Sequence, residues 1–96
     1  MAKITWTIEA LRWLQEIHDY IAIDNAAAAY RTVTAIHERA EILLTFPHIG
    51  AQYRKDPHIR ILVEGNYRMA YLLRSDEDID ILGVIHGALP IERYLP

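Results

Sequence analysis

Ninety-six residues suffice for one domain and leave no room for two independent cores, so we expect a single domain over residues 1–96. The chain is 52% hydrophobic and contains no cysteine, which excludes both a disulfide framework and a thiolate metal site. Its formal charge of −3 argues against a protein that coats nucleic acid through bulk electrostatics.

The charge is distributed unevenly along the chain. Residues 50–74 hold five Lys/Arg and two Asp/Glu, whereas acidic residues are in excess on both sides of this segment. A basic middle in an acidic chain predicts an anionic or acidic partner there. No apolar run reaches the roughly 20 residues that span a bilayer, and no signal peptide is recognisable, so we expect a cytoplasmic protein without a membrane segment.

The first predicted elements are a short strand and an amphipathic helix. Residues 4–8 alternate as in a strand, and Thr7 is a suitable N-cap for the helix that follows. An apolar stripe recurs every three or four residues and is widened on one side by Trp13 and Tyr20. A stripe this wide predicts contacts beyond the protein's own sheet. Its members are Ile8, Leu11, Leu14, Ile17 and Ile21.

The second predicted helix folds back on the first. Asp24-Asn25 interrupts the first helix and offers an N-cap before the four alanines 26–29, which favour a helix strongly. Apolar residues then keep helical spacing to Leu43. Pro47 and Gly50 end the helix, because proline cannot continue it and glycine tolerates the following turn.

The remaining chain predicts three strands after a polar loop over residues 51–57. The period changes to two from Ile59, Gly65-Asn66 is a tight-turn signal, and polar residues 75–78 separate the last two strands. The predicted fold is therefore α+β, a helical hairpin packed on a small antiparallel sheet in the order β-α-α-β-β-β.

Strand register decides which side chains share a face. With turns of even length, one face is aliphatic and is expected to pack on the helices; it comprises Ile59, Ile61, Val63, Ala70, Leu72, Ile79, Ile81 and Ile85, with Arg68 at its end. The opposite face comprises Arg60, Leu62, Tyr67, Met69, Tyr71, Leu82, Val84 and His86.

Few residues offer recognisable chemistry. Ser75 stands alone in an acidic turn, the five histidines lack the spacing of a metal site, and no glycine-rich phosphate loop is present, so we predict no metal and no cofactor. Arginine, tyrosine and histidine remain, and together they could bind phosphate, stack on a base and move a proton. The alternative is that the arginines are structural. The residues concerned are Arg54, Arg60, Arg68, Tyr71 and His86.

Nearly the whole chain resembles the ParE/RelE toxins of bacterial type II toxin–antitoxin systems. No single motif is diagnostic, but their order and spacing together are specific. The motifs are Ala10-Leu11, Ile17–Ile21, Asp24–Ala26, Ala28-Ala29, Phe46–Gly50, Ile59–Leu62, Asn66–Tyr71 and Ile81–Ala88.

The resemblance implies a toxin that is neutralised by a small antitoxin, with a ribbon-helix-helix or similar DNA-binding domain and a disordered C-terminal tail. The first helix would bind this antitoxin through Leu11, Trp13, Leu14, Ile17, Tyr20 and Ile21. The cellular target would be contacted by Arg54, Arg60, Arg68, Tyr71, His86 and Arg93.

The resemblance leaves two targets open. ParE-like members inhibit DNA gyrase without hydrolysing anything, and RelE-like members cut messenger RNA on the ribosome without a metal. The acidic charge, and Ile59 and Ile61 in place of strand lysines, favour the ParE-like branch. Arg60, Arg68 and His86 would be the catalytic group in the RelE-like alternative. Leu89 stands where many relatives carry arginine, which implies a third possibility, an attenuated toxin that only binds its antitoxin.

Overall fold

Two helices pack against one face of a five-stranded sheet in the computed structural model, which describes residues 2–95. The elements are β1 (Ile4–Trp6), α1 (Ile8–Ala22), α2 (Ala26–Ala40), β2 (Ala51–Tyr53), β3 (Asp56–Glu64), β4 (Tyr67–Leu73) and β5 (Ile79–His86), with short 3-10 turns at Glu41–Leu44 and Ile91–Arg93. The α+β class and the helical hairpin predicted from the sequence are confirmed. Within the described part of the chain, neither helix is long and apolar enough to cross a membrane.

Both helices begin at the predicted caps. The Thr7 hydroxyl accepts a hydrogen bond from the Ala10 N–H at 3.1 Å, and it donates to the Ile81 carbonyl at 2.7 Å. The Asn25 side-chain oxygen accepts from the Ala28 N–H at 3.0 Å. Each cap satisfies an N–H that a helix leaves without a partner in its first turn. Thr7 also ties the start of α1 to the sheet.

The strands lie in the order β1-β5-β4-β3-β2. All neighbouring pairs are antiparallel except β1 and β5, which are parallel. The helical hairpin carries the chain from β1 at one edge of the sheet to β2 at the other. The short strand β2 lies in the segment that was predicted to be a loop, and its pairing with β3 is interrupted by a bulge between Gln52 and Tyr53. The sheet is therefore mixed and one strand larger than expected.

The faces of β3 and β4 divide as predicted, but the prediction of which face meets the helices is wrong. Leu62, Met69 and Tyr71 lie in the core beneath the helices. The aliphatic face lies on the other side, where Ile59 and Ala70 pack with the C-terminal segment. This segment contributes Ile91 and Leu95 as a cover for that face, so aliphatic side chains are needed on both sides of the sheet.

A bulge in β5 reverses the predicted orientation of the first half of that strand. Ala70 pairs with Gly83, whereas the next residue, Tyr71, pairs with Ile81, so Leu82 is the extra residue. Because side chains alternate along a strand, one extra residue exchanges the two faces. Ile79 and Ile81 consequently join the core beneath the helices, and Leu82 faces the C-terminal segment.

Candidate functional site

A groove of about 360 Å³ runs between the C-terminal half of α1 and the end of the sheet where β4 begins and β5 ends. We call it the helix groove. It brings together four of the six predicted antitoxin contacts with the predicted target contact His86. Its lining residues are Trp13, Glu16, Ile17, Tyr20, Ile21, Tyr67, Val84, His86 and Leu89.

Aromatic rings form much of the wall of the helix groove. Trp13 meets Tyr94 of the C-terminal segment edge-on, with 5.1 Å between ring centroids and planes at 87°. The Tyr67 and His86 rings are also perpendicular, at 5.4 Å. Tyr20 stands free at the rim with 78% of its surface exposed. The groove is therefore an apolar surface whose walls are packed aromatic rings, with an exposed aromatic side chain at its edge.

Two of the predicted antitoxin contacts lie outside the helix groove. Leu14 is only 7% exposed and belongs to the core between α1 and the sheet, so the prediction that it contacts a partner is wrong. Leu11 is exposed but does not line the groove. The sequence stripe combined residues that hold α1 on the sheet with residues that are free to bind.

A main-chain N–H group orients the His86 ring. Its Nδ1 accepts the Ala88 N–H at 3.1 Å, so in the neutral ring the proton is on Nε2. The Gly87 N–H donates to the Asn66 carbonyl at 2.7 Å and joins the end of β5 to the turn between β3 and β4. His86 itself is exposed at the mouth of the groove.

Arg68 lies on the opposite face of the sheet from the helices and supports the far wall of the groove. It pairs across the sheet with Val63 and Ile85. Its Nη2 donates to the main-chain carbonyl of Leu89 at 2.6 Å and, more weakly, to that of Gly87 at 3.4 Å. These contacts favour the structural interpretation of Arg68, as a clamp on the segment that places Leu89 at the groove.

Arg60 and Tyr71 form a network at the other end of the sheet. Arg60 Nη1 donates to the carbonyls of Gly50 at 2.7 Å and His48 at 3.0 Å. The Tyr71 hydroxyl accepts the Gly50 N–H at 3.0 Å and donates to the Pro47 carbonyl at 2.7 Å. Burial raises the pKa of Tyr71, and the Gly50 N–H and the Arg60 charge oppose that rise.

Tyr71 was predicted to contact the target, and the structure contradicts this. Its side chain is 0% exposed, and both hydrogen-bonding functions of its hydroxyl are used inside the protein. A ring in that position cannot stack on a base. The prediction failed because an aromatic residue in a strand has no sequence feature that separates a core tether from a binding platform.

The predicted catalytic group is not brought together. Arg60 lies opposite Tyr71, and His86 opposite Tyr67, so four residues of β4, roughly 13 Å, separate their positions along the strands. Arg68 lies on the other face. The remaining predicted target contacts, Arg54 and Arg93, are exposed and do not line the helix groove. Within residues 2–95, no group of three potential metal-binding side chains is placed to hold an ion.

A second cavity, of about 460 Å³, adjoins Arg60 at the end of the sheet away from the helix groove. We call it the arginine pocket. Sequence reasoning located its basic segment but missed Arg74 and His58 as site residues, although the local excess of positive charge was the available signal. Its lining residues are His48, Gln52, Pro57, His58, Arg60, Leu73, Arg74, Ser75 and Glu77.

Comparison with known families and sequences gives one consistent result. The family model described as "ParE toxin of type II toxin-antitoxin system, parDE" matches residues 4–89. A Sinorhizobium fredii protein named "Putative toxin Y4kP" is 36% identical over 86 residues, which are 88% of this chain and 88% of that protein. The match to the family model extends over α1, α2 and the whole sheet.

Two solved structures share the fold. A chain of the chromosomal ParDE toxin–antitoxin system from P. aeruginosa superposes with a TM-score of 0.73 at 23% identity, covering 90% of this chain and 96% of that one. A chain of the RelBE2 toxin–antitoxin complex from Mycobacterium tuberculosis gives a TM-score of 0.70 at 22% identity, covering 88% and 96%. At this level of identity the superpositions bear on the fold alone.

Proposed function

The chain belongs to the ParE toxin family of type II toxin–antitoxin systems, and from that premise we propose that it inhibits DNA gyrase until a cognate antitoxin occupies the helix groove. Gyrase inhibition is the activity that the ParE-like branch implies. One observation supports the proposal. The chain has an exposed apolar groove that can receive a partner, and its predicted catalytic arginines do not lie together at a reaction centre.

The helix groove supports the antitoxin part of the proposal. Trp13, Ile17 and Ile21 present apolar surface beside the exposed ring of Tyr20. Within the part of the chain that the structure describes, only Glu16 adds a carboxylate to the lining. An apolar groove of this kind accepts a partner segment that contributes alternating apolar side chains or one face of an amphipathic helix. The disordered tail expected of a small antitoxin can supply either, because such tails order on binding.

The positions of the polar residues support inhibition by binding over ribonuclease activity. A metal-independent nuclease needs a base, an acid and a positive charge within reach of one phosphate. Arg60 and His86 lie at opposite ends of the sheet, and Arg68 is committed to main-chain carbonyls on its other face. The target surface that we propose therefore consists of exposed groups, Arg54 and Arg93 among them.

A gyrase supercoiling assay run beside a coupled translation assay tests the proposal. We expect the purified chain to inhibit supercoiling, or to trap cleaved DNA, while translated mRNA stays intact. A cognate antitoxin should restore supercoiling when it is added in equal amounts. The control is the chain already saturated with that antitoxin.

The RelE-like alternative makes the opposite prediction. Ribosome-dependent mRNA cleavage that disappears in His86→Ala, with supercoiling unaffected, would replace gyrase inhibition by nuclease activity. An attenuated toxin would give neither activity and no growth arrest on expression, and would still bind the antitoxin. The three outcomes are therefore distinguishable with one protein preparation and one variant.

A further inference from the structure

The arginine pocket contains more positive and donor groups than its own structure uses. Arg60 Nη1 has two hydrogens, and both are occupied by the Gly50 and His48 carbonyls. These bonds fix the plane of the guanidinium and leave its Nε–Nη2 edge unoccupied by protein hydrogen bonds within residues 2–95. Arg60 also forms no ion pair with a carboxylate of that range. An oriented arginine fork with an uncompensated charge is a preorganised anion site.

The other walls of the pocket add donors and little negative charge. Arg74 lines the pocket and uses Nη1 for an ion pair with Asp80 at 2.7 Å. Its other N–H groups form no hydrogen bond with protein groups within residues 2–95. Gln52, His58 and Ser75 can donate from the remaining sides, and among the described residues Glu77 is the one carboxylate in the lining. Donors therefore outnumber obligate acceptors around a cavity of about 460 Å³.

We propose that the arginine pocket binds a phosphate ester, between Arg60 and Arg74. Guanidinium groups bind phosphate oxygens bidentately, and a phosphate offers enough acceptors for donors that approach from several sides. Leu73 and Pro57 provide an apolar wall for the group that carries the phosphate. The cavity volume is in the range of small-ligand sites, about 300–1,000 Å³. A free nucleotide and a nucleic-acid backbone both present this chemistry.

This site is independent of the proposed action on gyrase. It lies at the opposite end of the sheet from the helix groove and shares no lining residue with it. It also uses two of the five basic residues of the segment 50–74, Arg60 and Arg74. A chain that fails to inhibit gyrase could still bind phosphate, and the reverse also holds.

Titration of the ¹⁵N-labelled chain tests the site with three probes: inorganic pyrophosphate, adenosine diphosphate and a single-stranded oligonucleotide of about twelve nucleotides. We expect saturable amide shifts at the pocket residues with at least one probe. Saturation by pyrophosphate or the nucleotide identifies a small-molecule source, and saturation by the oligonucleotide alone identifies a nucleic-acid backbone. Absence of saturable shifts with all three probes overturns the proposal.

Variants separate a built site from general electrostatics. The double variant R74Q/D80N removes the arginine without leaving Asp80 unpaired, and we expect it to weaken binding about tenfold, the loss of one charged hydrogen-bonding partner. Glu77→Gln should strengthen binding severalfold because it removes the carboxylate. The double variant E9Q/R12Q is the matched control, since Arg12 is exposed on α1 and pairs with Glu9 at 2.9 Å. Equal weakening by E9Q/R12Q, or none by R74Q/D80N, contradicts a phosphate site at Arg74.

Discussion

The two ends of the sheet use their side chains in opposite ways. At the helix groove, the rings of Tyr20 and His86 are exposed and contribute little to the buried core. At the arginine pocket, the side chain behind the surface is Tyr71, fully buried and joined through its hydroxyl to Gly50 and Pro47. The helix groove therefore presents apolar surface that does not pack in the core. The arginine pocket presents positive charge that a buried hydrogen-bond network holds in place.

This difference predicts which measurement responds to a substitution. Removing a side chain that contributes both to the folded core and to binding changes the free energy of unfolding and the affinity. Removing an exposed side chain changes the affinity alone. Variants near Gly50 and Tyr71 should lower the free energy of unfolding. Variants at the rim of the helix groove should leave stability unchanged and weaken antitoxin binding. The predictions below test this separation, beginning with the largest expected effect.

Gly50→Ala should destabilise the fold at the arginine-pocket end of the sheet. A Cβ at this position would lie 2.7 Å from Tyr71 Cε1, 2.8 Å from its hydroxyl and 2.9 Å from the Ile61 carbonyl, so the ring or the strand has to move. We expect a loss of about 3 kcal/mol in the free energy of unfolding, which lowers Tm by more than about 10 °C. Thermal unfolding followed by circular dichroism measures it.

Gly83→Ala is the matched control for that substitution. A Cβ at Gly83 would lie 3.8 Å from Trp13 Cδ1, an ordinary van der Waals distance at the groove end of the molecule. We expect a change of less than about 1 kcal/mol. Equal destabilisation by the two alanines would show that loss of glycine itself matters, and that the close approach of Tyr71 does not.

Tyr20→Ala should weaken antitoxin binding without affecting the fold. The ring is 78% exposed at the rim of the helix groove, where a bound segment would cover it. Loss of an interface tyrosine often costs about 2 kcal/mol, so we expect a roughly 30-fold rise in Kd for the antitoxin. Isothermal titration calorimetry gives the Kd, and Tm should stay within about 2 °C of the parent value.

Tyr30→Ala is the corresponding control on α2. Its ring is 70% exposed and does not line the helix groove. Unchanged affinity in Tyr30→Ala together with weakened affinity in Tyr20→Ala would locate the antitoxin at the groove. The proposal for the groove fails if both variants bind the antitoxin as tightly as the parent chain.

Tyr71→Phe should destabilise the chain by a smaller amount than Gly50→Ala. The ring stays in the core, but the Gly50 N–H and the Pro47 carbonyl lose their buried partner. We expect a loss of about 1–2 kcal/mol, the usual consequence of leaving a buried polar group unpaired. Denaturant unfolding measures it, and Tyr30→Phe, on the exposed surface of α2, should be neutral. An unchanged unfolding midpoint in Tyr71→Phe would contradict the network.

Local sequence signals predicted the helices and strands well because their causes are local. Thr7 and Asn25 cap the helices through contacts three residues away, and the change from helical to alternating period located the three long strands. The short strand β2 was not predicted, since its pairing with β3 and not its own composition makes it a strand.

Long-range packing decided what the sequence could not. The aliphatic face of β3 and β4 has the composition expected of a surface that packs on helices. Ile91 and Leu95 of the C-terminal segment cover it instead. The bulge at Leu82 changed the parity of β5 without a turn signal. The same holds for the side chains at the two sites. Part of the apolar stripe on the first helix lines the helix groove, whereas the buried Tyr71 is bonded to a glycine 21 residues away in the sequence, which no local pattern predicts.

Alkaline pH gives the finest test of the contrast between the two ends. The pKa of Tyr71 is raised in the folded chain by burial, so the folded state retains the proton at a pH where the unfolded chain releases it. The contribution of the protonated hydroxyl to the stability of the folded state is fully present below the ordinary tyrosine pKa of about 10. Above that pH it is lost progressively, because the unfolded state binds fewer protons than the folded state.

We therefore expect the free energy of unfolding to fall above about pH 10. The contribution of Tyr71 alone to this fall is at most about 1.4 kcal/mol per pH unit. Denaturant titrations between about pH 8 and 11 measure the slope. Tyr71→Phe should reduce it, since phenylalanine has no proton to lose, whereas Tyr30→Phe on the exposed helix surface should leave it as in the parent chain. A slope that is the same in Tyr71→Phe and in the parent would show that the buried hydroxyl does not couple stability to pH.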